Sequence, residues 1–452
     1  MKGTDEENRL IQLAEQTLDV RRSSESYNWT PEMQDANPDL LEDFKSITEQ
    51  EAVMFGEDWD AESAMASDGL YHQRDVLNYA IQQATEQEVD VLVFVVWDGV
   101  PFRMAKAAKE MQTSSETGHW NHTTIAPCIG EFPAMTNWGH LRLLHGLGLE
   151  QGLAQGLGVL NGNSRAHVPL AAYWGQLGNA LDEGWQTPAR ESLTERTAEI
   201  LEPFLGEQEV SFGGYTGHRL GNLESNVLIP LVEAMESHQT IVTERGNQGE
   251  GGQLVRLRNL LSLDRQRDGV TLAFSRISFD SRGGNEHNHM ALNFSGHMYG
   301  PYNPAIISGL NRSWDELCEL VESCLNGRKA LIIACSDHGM TPTPNPIEET
   351  WAITTPEECD GDFLAETATA PRPWFSKRGA VGNNEDIPDH LDARVRQTSG
   401  LECSIDSARI PDTELIAMSL RHGWSFDSHR GQHGGIGFDD LVIPLMSRRL
   451  GD

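Results

Sequence analysis

Lysine is scarce in this chain. Only six of its 34 basic residues are lysines (Lys2, Lys45, Lys106, Lys109, Lys329 and Lys377), against 68 acidic residues and a net charge of −34. A surface of that sign lacks the clustered cations that hold phosphate backbones, so neither a nucleic-acid duplex nor an anionic membrane is an expected partner. High acid with little lysine is the balance of a protein that stays soluble in concentrated salt, and the chain reads as halophilic. The six cysteines (Cys128, Cys318, Cys324, Cys335, Cys359 and Cys403) are scattered, with no C-x-x-C pair. They suggest neither a disulfide framework nor a structural zinc site. Long apolar runs are missing too: the longest, "VLVFVV", is far too short to span a bilayer. The first twenty residues are charged and amphipathic, unlike a signal peptide. These features together predict a soluble, cytoplasmic protein. Also absent are G-x-x-x-x-G-K-[ST], H-E-x-x-H and G-x-S-x-G, which argues against a P-loop enzyme, a zincin and an α/β-hydrolase. "GNQGEGG" lacks the strand and helix context of a dinucleotide loop and reads as a turn.

What remains is organised as helix-then-strand units. "RDVLNYAIQQATEQ" has helical apolar spacing and precedes "VDVLVFVVWDG", a continuous apolar run of the kind buried on both faces of a parallel sheet. The unit recurs at 313–338, where Ser313 and Glu316 suggest a capping box. There Trp314, Leu317, Leu320, Val321, Cys324 and Leu325 make one apolar face, and Asn326-Gly327 ends the helix before "KALIIACSD". The expected fold is α/β, with a doubly wound, mostly parallel central sheet flanked by helices. Residues 1–70 read as an acidic N-terminal extension packed outside a main domain of 71–452, with insertions at about 190–265 and 341–411.

In such sheets ligands bind beyond the carboxyl ends of the strands. Acidic and histidine residues gather at positions of that kind. They are Asp98 in "VVWDGV", Asp280 in "RISFDSRGG", His297 in "FSGHMYGP", Asp337 and His338 in "CSDHGM", and His433 in "RGQHGGIG". Each "DG" or "GH" alone is an ordinary turn. An Asp-His pair directly after a buried strand is an odd choice for packing, and several carboxylates converging at a sheet edge need cations. Mixed Asp and His donors suit zinc, manganese or iron better than calcium or magnesium. Six such donors are enough for two divalent ions, a standard arrangement for phosphoester chemistry.

In that order the islands resemble the alkaline phosphatase superfamily, and within it the type I phosphodiesterase and nucleotide pyrophosphatase branch. Asp98 matches the aspartate ending the first strand. "SGHMYGP" is similar to the branch's G-H-x-Y-G-P motif, "SDHGM" to its metal motif, and "QHGG…VIPL" to its closing histidine motif. The likeness spans roughly residues 90–445 in short islands. It implies an alkaline phosphatase-like fold and a two-metal hydrolase of a phosphodiester or nucleotide pyrophosphate bond, with zinc or manganese and a small phosphorylated substrate. It also implies that Asp98, Asp337 and His338 hold one metal, and that His297, His433 and a further aspartate hold the other.

Two departures stand out. The further aspartate falls roughly where this chain has Asn293, and Asp280 is the proposed replacement; His287 and His289 in the same loop are possible substitutes. The family's nucleophilic Thr or Ser falls on Gly130 or Glu131, within a frame kept by Pro127, Phe132-Pro133 and His145-Gly146. Glu131 as a metal ligand would leave a metal-bound water to attack; Thr136, Thr124 or Cys128 would need a shifted backbone. Cys128 lies outside a C-x-P-x-R setting, which argues against a sulfatase. A phosphomutase would also need a hydroxyl. The competing class is a catalytically inactive metal-binding homologue acting as a binding or scaffold protein. His122, His140 and His145 flank this segment and read as surface or core histidines.

Overall fold

The computed structural model describes residues 5, 8–14, 64, 67, 69–111, 118–131, 134, 136–146, 188–206, 210–216, 240–242, 258, 261, 269–278, 296–342, 345–346, 364–365, 374–377, 391–398, 415–420, 424–425, 431–434 and 437–451. Its main sheet has eight strands: β1 (Tyr71–His72), β2 (Val91–Asp98), β3 (Thr124–Ile129), β4 (Val210–Thr216), β5 (Thr240–Val242), β6 (Val270–Ser278), β7 (Ala330–Ser336) and β8 (Val442–Leu450). Their order is β1-β3-β8-β7-β2-β6-β4-β5. Only β8 runs against its neighbours, β3 and β7; every other pairing is parallel. The mostly parallel α/β reading is borne out.

Helices cover both faces, and the strand sequences say why. In β2, Leu92, Phe94 and Val96 join one buried cluster, while Val91, Val93, Val95 and Trp97 join the other. A strand sandwiched this way has no polar face, so its sequence is continuously apolar instead of alternating. The first face is covered by α1 (Val76–Glu86), α3 (Thr136–His145) and α4 (Pro188–Leu205) through residues such as Leu77, Leu143, Leu201 and Phe204. The second is covered by α2 (Phe102–Glu110) and α6 (Pro304–Cys324), with Trp314 packed between Trp97 and Trp120 at centroid distances of 6.3 and 6.0 Å. Each fully buried large side chain here contributes roughly 1.5–3 kcal/mol.

The α6 boundary corrects the sequence reading. The helix starts at Pro304, not at Ser313, which lies buried within it. Proline is preorganised for a first helical turn, and Ile306, Ile307 and Leu310 extend the apolar stripe of Trp314, Leu317 and Val321 backwards. The stop is as expected, since Asn326 and Gly327 take positive φ of 48° and 86°. Leu10, Leu13, Ala14 and Ala64 belong to the first buried cluster. β4 and β5, within the 190–265 stretch, extend the main sheet. Three strands of the 341–411 stretch (364–365, 374–377 and 391–398) lie with 415–420 in a separate four-stranded antiparallel sheet. Among the described residues no helix is long and apolar enough to cross a membrane.

Candidate metal centre

β2 and β7 are adjacent and in register, with Trp97 opposite Ser336. Their carboxyl ends therefore deliver Asp98 and Asp337 to one place. The backbone turn between them is tied tightly. Asp337 N–H donates to the Trp97 carbonyl at 2.9 Å, and Ser336 Oγ lies 2.8 Å from the same oxygen. Asp337 Oδ1 accepts from the N–H groups of Gly99 (3.3 Å) and His338 (2.9 Å). The buried amide of Gln73 donates to the carbonyls of Ser336 and Asp337 at 2.9 and 2.6 Å.

Donor atoms of Asp98, Asp337 and His338 lie within 4.8 Å of one another, and all three residues are buried. The His338 tautomer follows from its partner. Its Nδ1 is 2.8 Å from the Gly339 carbonyl, which can only accept, so the proton sits on Nδ1 and the Nε2 lone pair points away. That Nε2 faces Asp98 Oδ1 at 3.4 Å and Asp337 Oδ1 at 3.6 Å. A lone pair and two carboxylates turned on each other in a dry pocket repel unless a cation or a further proton lies between them. Two carboxylates and a neutral imidazole with its other nitrogen held by a carbonyl make a donor set that fits a divalent transition metal.

The glycine of "SDHG" has a steric reason. A Cβ on Gly339 would lie 1.7 Å from the Asp439 carbonyl oxygen. The Gly339 N–H donates to the Asp440 carbonyl at 3.0 Å. The motif is thus locked to α7 (Phe438–Leu441), just before β8.

His297 sits on α5 (Gly296–Tyr299), and His433 follows the short strand Gly431–Gln432. His297 Nδ1 donates to the Gly431 carbonyl at 2.8 Å, and His433 Nδ1 lies 3.3 Å from the Ala134 carbonyl. Both rings therefore present Nε2, as His338 does. The His433 ring stacks on His338 with centroids 3.9 Å apart and lies 5.1 Å from His297. Burial pushes the His433 imidazole well below its ordinary range, the neighbouring His338 and His297 add to this, and Asp98 and the Ala134 carbonyl oppose it. All three imidazoles predicted from the sequence thus meet. Asp280, His287, His289 and Asn293 lie outside the described residues; β6 does end two residues before Asp280, with Ser278 opposite Asp98.

The segment that departs from the family is arranged differently. Glu131 follows the carboxyl end of β3, where its carboxylate faces Arg74 (3.5 Å) and the buried Arg142 (3.8 Å), and its carbonyl accepts from Arg142 at 2.6 Å. Burial pulls the Arg142 guanidinium down to about 10, with Glu131 opposing and Arg74 adding to the shift. Thr124 is exposed at the opposite, amino end of β3, so it is too far along the strand to serve as a nucleophile at this site. Cys128 is fully buried and its thiol is pushed well above the ordinary value by burial, which makes it a core residue. Thr136 opens α3. His122 is exposed, and His145 is a core residue with Nδ1 2.8 Å from Thr197 Oγ1.

Two features were not anticipated. His140 on α3 places Nε2 3.5 Å from Asp337 Oδ2, with both side chains buried. Beside the site, Arg103 pairs with Asp439 through both carboxylate oxygens, with neither side chain exposed. Tyr302 donates to the same carboxylate, and the guanidinium lies 5.3 and 5.5 Å from the Tyr302 and Phe438 ring centres. The adjacent acids of "FDDL" were the available signal; Arg103 in "PFRMAK" had none.

No family model and no curated protein matches the chain. Solved structures with a similar fold include murine ectonucleotide pyrophosphatase/phosphodiesterase 5, at 14% identity over 79% of this chain and 87% of that one, TM-score 0.45. The human form shows 15% identity over 79% and 87%, TM-score 0.43. Alkaline phosphatase PafA shows 11% identity over 80% and 91%, TM-score 0.38. A likeness of this size carries nothing about activity, which has to come from the residues of the site.

Proposed function

We propose that the chain is a metal-dependent hydrolase of phosphate esters, acting on a phosphodiester or nucleotide pyrophosphate bond in a small phosphorylated substrate. The observation that carries this reading is the convergence of Asp98, Asp337 and the His338 Nε2 at the carboxyl ends of two adjacent strands. In it, Asp98, Asp337 and His338 hold one divalent ion, zinc or manganese. His297, His433 and Asp280 hold a second beside it, reached through the His338–His433 stack. Ions so held supply Lewis-acid stabilisation of charge developing on phosphoryl oxygens. The protein's own part is to hold each imidazole by its Nδ1 proton and to keep the pocket dry, where electrostatic contacts are strongest. Neither a membrane nor a nucleic-acid duplex suits a chain of net charge −34. The four described cysteines are free thiols, which suits a reducing cytoplasm, and the acid-rich composition suits high salt.

A second reading has its own observation. Glu131, at the position where the family carries a hydroxyl, is engaged by two arginines. That favours a metal-binding homologue without turnover. One experiment separates the two: metal content by mass spectrometry on protein purified in high salt, with bis-p-nitrophenyl phosphate hydrolysis assayed on the same sample. Two ions per chain with turnover, both lost in Asp337→Asn, support the hydrolase. Metal without turnover on any ester supports the binding protein, and no metal at all sinks both.

A further inference from the structure

We infer that His140 is a positioning residue for Asp337. The inference rests on the metal reading above. Asp337 Oδ1 is already fixed by the N–H groups of Gly99 and His338. Its other oxygen, Oδ2, faces His140 Nε2 at 3.5 Å, an ion-pair distance. This placement requires an unusual approach of α3 to the end of β7. A Cβ on Gly139 would lie 1.9 Å from the Asp337 carbonyl oxygen and 2.7 Å from its Cα, so only glycine lets the helix backbone come so close. Gly139 brings the helix in, and the next residue delivers the imidazole.

His140 is not in the cluster of mutually close donor atoms formed by Asp98, Asp337 and His338. It faces Asp337 Oδ2 and is assigned to act through that carboxylate. An imidazole N–H donated to one oxygen of a carboxylate leaves the other oxygen aimed at the metal and stops the group from rotating. The same segment starts next to Glu131, where the carboxylate is held by Arg74 and Arg142.

The test is zinc affinity of the full chain, measured by competition with a chromophoric chelator, for wild type and for His140→Gln, His140→Met and His140→Asn. Glutamine keeps a donor at about the reach of Nε2, methionine keeps the bulk without a donor, and asparagine keeps a donor but is too short. Methionine and asparagine are expected to weaken zinc binding about 10–100-fold, with glutamine restoring most of it. If methionine does not fold, the asparagine–glutamine difference decides in its place. Wild-type affinity in the donor-less or shortened variant overturns the inference, as does equal weakening in glutamine and asparagine. A wild-type chain that binds no zinc overturns the metal reading itself, which is a distinguishable failure.

Discussion

His338 Nε2 lies 3.4 Å from Asp98 Oδ1, and its Nδ1 proton is already committed to the Gly339 carbonyl. The two residues sit 240 positions apart in the chain, and the pairing of β7 with β2 is what joins them. Their arrangement is repulsive unless a cation or a further proton lies between them. Metal should therefore act as a folding ligand. At free zinc about 100 times its Kd, wild type is expected to gain about 2.7 kcal/mol of stability over the chelated protein. Asp98→Asn should gain far less under the same conditions, because the amide neutralises one donor. Unfolding curves with zinc and with chelator check this, and an Asp98→Asn gain equal to that of wild type would refute it.

Gly339→Ala tests the same site by sterics alone. Its Cβ would meet backbone, the Asp439 carbonyl oxygen, which cannot swing aside like a side-chain end. A loss of at least about 1–3 kcal/mol is expected from such overpacking. Zinc affinity should fall as well, since the carbonyl of the displaced residue orients His338. A variant with wild-type stability and affinity would show that the close approach is not needed.

These features differ in how far they could be read from residues alone. β2 and β7 were legible because a doubly buried strand has to be continuously apolar, and Asp98 and Asp337 because a charge at the end of such a run has no packing purpose. His297 and His433 were legible only through their glycine-rich contexts. His140 was not, because a single histidine on an amphipathic helix says nothing of which strand end the helix will touch. Its signal was the preceding Gly139, and a mid-helix glycine has many explanations. Ser313 was misread as a cap because its local pattern fits one, whereas the packing of Ile306, Ile307 and Leu310 on the sheet extends the helix past it. Arg103 and Asp439 are separated by 336 residues, and nothing local links them.

That buried pair yields a prediction about stability. Neither side chain is exposed, and the carboxylate also accepts from Tyr302. Removing one member leaves the other charge buried and uncompensated, so Arg103→Met should cost about 3–5 kcal/mol. Removing both, as Arg103→Met with Asp439→Leu, should recover a large part of that loss, because two desolvated charges are replaced by apolar groups. Denaturant midpoints of the single and double variants decide it. A single variant that loses less than about 1 kcal/mol would show that the pair is solvated in a way its burial does not suggest.

The His433 imidazole gives a pH dependence with a definite sign. Burial, then His338 and His297, push it well below the ordinary range, against the opposing Asp98. The unfolded chain therefore takes up a proton at this residue, near pH 6.5, before the folded chain does. Stability from this group is fully present above about pH 6.5 and is lost as pH falls toward the depressed folded value, at most about 1.4 kcal/mol per pH unit. Bound metal would compete for the same nitrogen, so the measurement belongs on chelated protein, between about pH 7 and 5. His433→Gln cannot titrate, and its curve should be flatter than that of wild type by this slope. Parallel curves would mean that the folded protein protonates His433 as readily as the unfolded chain, and that this imidazole is open to water instead of being held neutral.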